Sequence, residues 1–316
     1  MNKFFLPAER AAKDRTDEPS KTIVQLLDEI RADADIVAAP HWSDGNKLRD
    51  GIIGRAAEKM VSYASQYRVK SDELERKTAE MTNAVAYYTA GAQRDQHQRM
   101  YDFYYIHCVN CSIFFGSFLK QPWIREANKV RLLQWKVWND LAMYASRKCP
   151  AIRMDLVRDY QPKKPSGWDA IEDRVIAMED DGHAAKLVRA LAHGQKVCRP
   201  YEDREEFRVK HDDWLQMGHM AIDAVEAGEP HWVRSAGFDE AWGESLLHSD
   251  CRGHANFENR EDTASIAALA PARLPHNRNI KTASRNSRSM VFSGGLKIRN
   301  PVFSSAHTCW SASGLA

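Results

Sequence analysis

The chain has 316 residues, 43% hydrophobic and 28% charged, enough apolar material for one or two soluble domains and too much for a chain disordered throughout. Its 45 Lys and Arg against 43 Asp and Glu leave a net charge of +2, which carries no nucleic-acid signature. A mean hydropathy of −0.57 and the lack of an 18-residue apolar run argue against a helical membrane span. The charge is unevenly placed. Seven Lys and Arg and no Asp or Glu follow Asp262, so residues 263–316 carry +7 and residues 1–262 carry −5.

Residues 1–19 read as a flexible lead-in: charge enters at Glu9, Arg10 and Lys13 before any apolar run develops, unlike a signal peptide, and Pro19 closes the stretch. Ser20 is a plausible N-cap for a helix bearing Ile23, Val24, Leu26, Leu27 and Ile30 on one face. A turn-rich break at Pro40 to Gly45 carries His41 and Trp42. A helical stretch through Leu48, Ile52, Ala56, Met60 and Tyr63 follows, weakened by Gly51 and Gly54. Ser71 opens a further helix that Gly91 closes. From about Gln98 to Leu119 the pattern is apolar and aromatic nearly all round, which predicts a buried helix. Glu126 to Ser146 predicts another, stopped by Pro150.

Tyr160 to Gly167 is a loop by composition. Asp181 precedes a helix expected to end at Gly194, and Asp212 or Asp213 caps one running to Gly228. No stretch alternates as a strand does. The fold class expected is therefore all-α, a compact multi-helix domain over residues 20–242. Residues 243–316 are expected to form a mostly disordered basic tail. Six scattered cysteines predict reduced thiols and a cytoplasmic protein.

The standard signatures of dinucleotide, nucleotide-phosphate, serine-hydrolase and zinc-protease sites are absent, as is a pair of Glu-x-x-His motifs. His107 and Cys111 share a helical face, but no further Cys or His pair is spaced to complete a zinc site. Cys108 and Cys111 then read as packing residues, whereas His107, polar on an apolar helix, needs a hydrogen-bond partner or a ligand. His183 falls in the first turn of its helix, whose positive end favours a neutral ring able to donate to a carbonyl. The competing reading makes Asp180, Asp181 and His183 simple capping residues. Lys186, Arg189 and His193 form a basic stripe, either a solvated face or an anion site for a phenolate or a nucleotide phosphate. Tyr104, Phe114, Trp135 and Trp138 either wall a slot for a flat polycyclic ligand or belong to the core, and Asp140 pairs with Lys136 one turn back.

Five longer stretches go beyond composition: His41-Trp42-Ser43-Asp44-Gly45-Asn46-Lys47, Phe103 to Ser112, Pro122-Trp123 with Asn128 to Leu133, Asp180 to Leu191, and Trp232 to Asp239. Read together over Phe4 to Trp242, they resemble the questin oxidase-like family of fungal secondary metabolism. The resemblance implies an oxidoreductase that carries out Baeyer-Villiger-type oxygenation and ring opening of an anthraquinone or related aromatic polyketide. NADPH and dioxygen are the implied co-substrates; no flavin fingerprint is found. His107, Asp181 and His183 fall in matching stretches and become candidate catalytic residues, with Lys186 and Arg189 candidates for holding the cofactor. Relatives usually begin upstream with a His-rich segment, and the family pattern ends near Trp242. A truncated or mis-joined form is therefore expected, and with it a second reading: a catalytically incomplete helical protein that binds a ligand or partner without turnover.

Overall fold

Residues 3–15, 17–243 and 246–247 are described by a computed structural model, in which twelve α-helices carry the fold. They are α1 Phe5–Asp14, α2 Ile23–Ala32, α3 Ala34–Ala38, α4 Ile53–Arg55, α5 Ala57–Ala64, α6 Leu74–Gly91, α7 Phe103–Leu119, α8 Glu126–Ser146, α9 Met154–Arg158, α10 Trp168–Ile176, α11 His183–Cys198 and α12 His211–Glu226. Among the described residues β pairing is limited to two isolated bridges, one of them between Asp102 and Val233. The tail expected from residue 243 onward lies almost entirely outside the described residues.

Helix α6 is the central rod, packed by α7, α8 and α11 and buried along nearly its whole length. Its buried polar side chains are used as ties. Glu80 pairs with Lys77 at 2.8 Å and accepts the Ile23 N–H that begins α2, while Asn83 exchanges both hydrogen bonds with the backbone of Val209. Buried polar groups satisfied in this way fix register as well as position.

The lead-in is corrected first. Residues 5–14 form a helix because Phe5, Ala8 and Ala12 share one face, and that face docks on α5 and against Trp135. Thr22, not Ser20, caps α2, in a reciprocal box with Gln25; the Ser20 hydroxyl is bonded to the backbone of Arg68 instead. The helix expected across residues 48–63 is broken into a wide π-turn at Lys47–Ile52, then α4 and α5. Gly51 lies so close to Pro40 that a Cβ there would stand 2.9 Å from its Cα.

Helix α11 does not stop at Gly194 but continues to Cys198. The glycine serves packing: a Cβ on it would lie 2.3 Å from the Trp214 ring of α12. Gly91 does end α6, through close approach of Ile152 and an N–H from Arg153 to the Gly91 carbonyl at 2.7 Å. Helix α7 begins at Phe103, later than the pattern suggested, because the Asp102 carboxylate caps it by accepting the N–H groups of Tyr104 and Tyr105.

Candidate active site

Helices α7 and α11 pack directly on one another, and their starts bring two histidines together. The rings of His107 and His183 lie 5.1 Å apart and nearly perpendicular, and the Phe103 ring stands 5.0 Å from His107 and 5.1 Å from His183. Phe103 and His107 meet because they are four residues apart on α7. The Nδ1 of His183 is 2.5 Å from Oδ1 of Asp181, which also accepts the His183 backbone N–H at 3.3 Å. Asp180 takes the N–H groups of Gly182 and Ala184, so capping and ring orientation are divided between two neighbouring acids. Hydrogen bonding from His183 holds the Asp181 carboxyl below the usual carboxylate range.

Two cations border this cluster. The Arg234 guanidinium lies over the Phe103 ring at 4.0 Å, and Lys186 folds back toward Gly182. Partial desolvation by its neighbours, followed by the charges of His183, Lys186 and Arg234, pushes the surface-facing His107 below the ordinary histidine value of 6.5, with Asp181 pulling the other way. The ring is therefore neutral at pH 7. The folded chain binds that proton less readily than the unfolded chain, so stability is lost as pH falls through 6.5 toward the lower folded value. An NMR titration of the His107 ring is expected to give a midpoint below 6.5, moving upward in Lys186→Gln as one repulsive charge is removed. A midpoint above 6.5 would eliminate His107 as a neutral hydrogen-bond donor at acidic pH.

The remaining candidates are dispersed. Tyr104 carries the Arg147 guanidinium over its ring at 3.7 Å, and Phe114 is half exposed on the outer face of α7. Trp135 stacks on Phe5 at 4.9 Å and donates to Glu9, whereas Trp138 is wholly buried and donates to the Tyr67 carbonyl. These four rings do not form one slot: Trp138 is sunk against the Tyr67 backbone, Trp135 lies against Phe5 and Glu9 of α1, Tyr104 is covered by Arg147, and Phe114 faces outward. Arg189 is exposed one turn beyond Lys186. Cys108 is buried with its thiol pushed well up by desolvation, and Lys136 pairs with Asp140 in the core.

Sequence reasoning passed over three residues of the site: Phe103, Arg234 and Asp102. Asp102 is fully buried, and its second oxygen accepts the N–H groups of Ser235 and Ala236 at 2.6 and 2.7 Å. One carboxylate thus starts α7 and anchors the loop that carries Arg234. An acid directly before an aromatic run is a cap signal, and it was there to be read.

An all-helical scaffold presenting a histidine pair, one ring held by a carboxylate, beside an aromatic edge and two cations defines a candidate acid–base site. The model of the questin oxidase-like family matches residues 1–191. The chain is 40% identical over 247 residues to the Baeyer-Villiger oxidase ptaJ of Pestalotiopsis fici, covering 76% of this chain and 55% of that protein. It is 35% identical over 250 residues to the questin oxidase of Aspergillus fumigatus (76% and 56%) and 36% over 220 residues to the oxidoreductase AflY of Aspergillus parasiticus (68% and 44%). The chain belongs to the questin oxidase-like family. It spans about half the length of the curated relatives it matches. No described helix is long and apolar enough to cross a membrane.

Proposed function

We propose that this protein carries out NADPH-dependent Baeyer-Villiger-type oxygenation of an anthraquinone-like aromatic polyketide. The observation that carries the reading is the convergence of His107, His183 and Asp181, from separate parts of the chain, beside the Phe103 ring. The names of the matched relatives support the reaction class.

Such chemistry adds a peroxide-level oxygen to a ring carbonyl, stabilises the oxyanion that forms, and lets a ring carbon migrate to oxygen. Neutral His107 donates to the oxyanion. His183, with Nδ1 occupied by Asp181, presents Nε2 for proton transfer. Phe103, stiffened by Arg234, lies against the substrate ring, and Arg234 favours an ionised phenol there. The quinone-type substrate would be reduced by bound NADPH, dioxygen would add to the reduced ring as a substrate hydroperoxide, and the distal oxygen of that peroxide would leave as water when the ring carbon migrates.

Lys186 and Arg189 are exposed cations in reach of α11's start and fit a cofactor phosphate; the first-turn amides do not, since Asp180 and Asp181 already occupy them. NADPH supplies the two electrons that take the second oxygen atom to water.

A binding role without turnover is the second reading, favoured by the exposure of His107 on an open surface. Incubation with NADPH, oxygen and questin separates the two. Substrate-dependent NADPH consumption with a mass gain of one oxygen is expected from the enzyme; binding of questin with neither change would establish the non-catalytic reading.

A further inference from the structure

The stretch from His41 to Lys47 is as distinctive as the histidine helices, yet the proposed chemistry leaves it without a task. It borders a cavity of about 520 Å³ lined by Val37, Pro40, Trp42, Lys148, Phe238 and Glu240 among others, none of them shared with the histidine cluster. Trp42 and Phe238 form its aromatic wall, with ring centroids 5.7 Å apart, and Trp42 is 43% exposed.

The charges around this wall do not balance. Lys47 is buried, yet its ammonium donates only to the carbonyls of Trp42 and Asp44, and it sits 4.8 and 5.2 Å from the Trp42 and Phe238 ring centroids. Arg147 is buried too. Its guanidinium reaches Ser235 Oγ at 3.0 Å and the Tyr104 ring, and its Nε has no partner. Neither cation is ion-paired with a described carboxylate. Lys148 lines the cavity directly, 5.3 Å from the Phe238 ring centroid.

The acids nearby are otherwise engaged: Asp44 with Arg55, Asp239 with Arg94, and Asp102 with four backbone N–H groups. Glu240 remains on the rim. Buried cations normally have paired anions, because desolvation is otherwise uncompensated. Lys47 does not line the cavity, and it acts on the wall through its closeness to both rings. A cation held against both rings draws on their π charge and favours an electron-rich partner ring.

We propose that this cavity binds a planar aromatic acid, a fused-ring carboxylate or phenolate whose ring lies on Trp42 and Phe238 and whose anionic oxygen meets Lys148. The site stands independently of the histidine chemistry, so either assignment survives failure of the other.

Equilibrium dialysis of the full chain against 2-naphthoate and its neutral counterpart 2-naphthamide tests it. The acid is expected to bind about tenfold more tightly than the amide, and Lys148→Glu to weaken the acid alone by about tenfold or more. Trp42→Ala is expected to weaken both. Arg234→Ala, at the histidine cluster, is expected to leave binding unchanged. Equal affinity for acid and amide, or sensitivity to Arg234→Ala and not to Lys148→Glu, would overturn the proposal. So would binding of NADPH but not of naphthoate that disappears in Lys148→Glu, since the cavity would then recognise phosphate.

Discussion

Replacing His183 with alanine is expected to lower the oxygenation rate by roughly 10²- to 10⁴-fold, the usual contribution of a positioned proton-transfer group, with helicity unchanged. The expectation rests on position. His183 is only 14% exposed, edge-on to His107 and tilted against Phe103, and its Nδ1 is held by Asp181. Asp181→Asn should lower kcat less than His183→Ala while leaving KM nearly constant, because the amide still occupies Nδ1 but permits the wrong tautomer. His107→Gln retains a donor and should lose less activity than His107→Ala. If His183→Ala turns over substrate within about twofold of the parent, the pair is packing and capping only, and the chemistry belongs elsewhere.

Asp102 carries the second large effect, on stability. Four backbone N–H groups converge on one fully buried carboxylate, two from the first turn of α7 and two from the Ser235–Ala236 loop. Burial raises its pKa; the Ala236 N–H, the Arg147 charge and the α7 amides oppose that rise. Asp102→Ala leaves all four donors buried without acceptors and is expected to cost on the order of 3 kcal/mol or more in urea unfolding. Asp102→Asn offers one oxygen and one unwanted donor, so it should cost about half as much and free either the cap or the loop. The loop cannot retreat far, since Gly237 is pressed on Arg147 so closely that a Cβ would stand 2.1 Å from its carbonyl oxygen. A cost below about 0.5 kcal/mol for the alanine variant would mean that water replaces the carboxylate.

Periodicity was enough to place the long helices. Helix α8 runs from Glu126 to Ser146 as its pattern implies, because Leu133, Val137, Leu141 and Tyr144 form an uninterrupted buried stripe. Glycine was read as punctuation and misled at Gly194, where a tertiary contact with Trp214 decides. Helix α1 was hidden by its charges, of which Arg10, Lys13 and Asp14 are exposed while Glu9 is bonded to Arg131 and Trp135 of α8. Within the site, His107 was visible as a polar ring on an apolar helix and His183 by its place in a helix's first turn, whereas Asp181, which fits a cap, was singled out only by the family resemblance. Arg234 was not, as its role depends on a loop brought across by Asp102, a contact separated by more than a hundred residues. Local patterning carries no signal for such contacts.

The Trp214 ring pressed on Gly194 has a mechanical consequence. Helix α11 is a rod of 16 residues, about 24 Å long, with His183 at one end and this contact eleven residues away. Side chains at the contact act on the histidine pair as a lever acts about its fulcrum. A larger residue at 194, or a smaller ring at 214, is expected to displace α11 against α12 and, through the helix, the position of His183 beside His107. The spacing of the histidine pair is thus tied to the α11–α12 interface, and a substitution there is expected to shift the His183 and His107 ring resonances in an NMR spectrum although it touches neither ring.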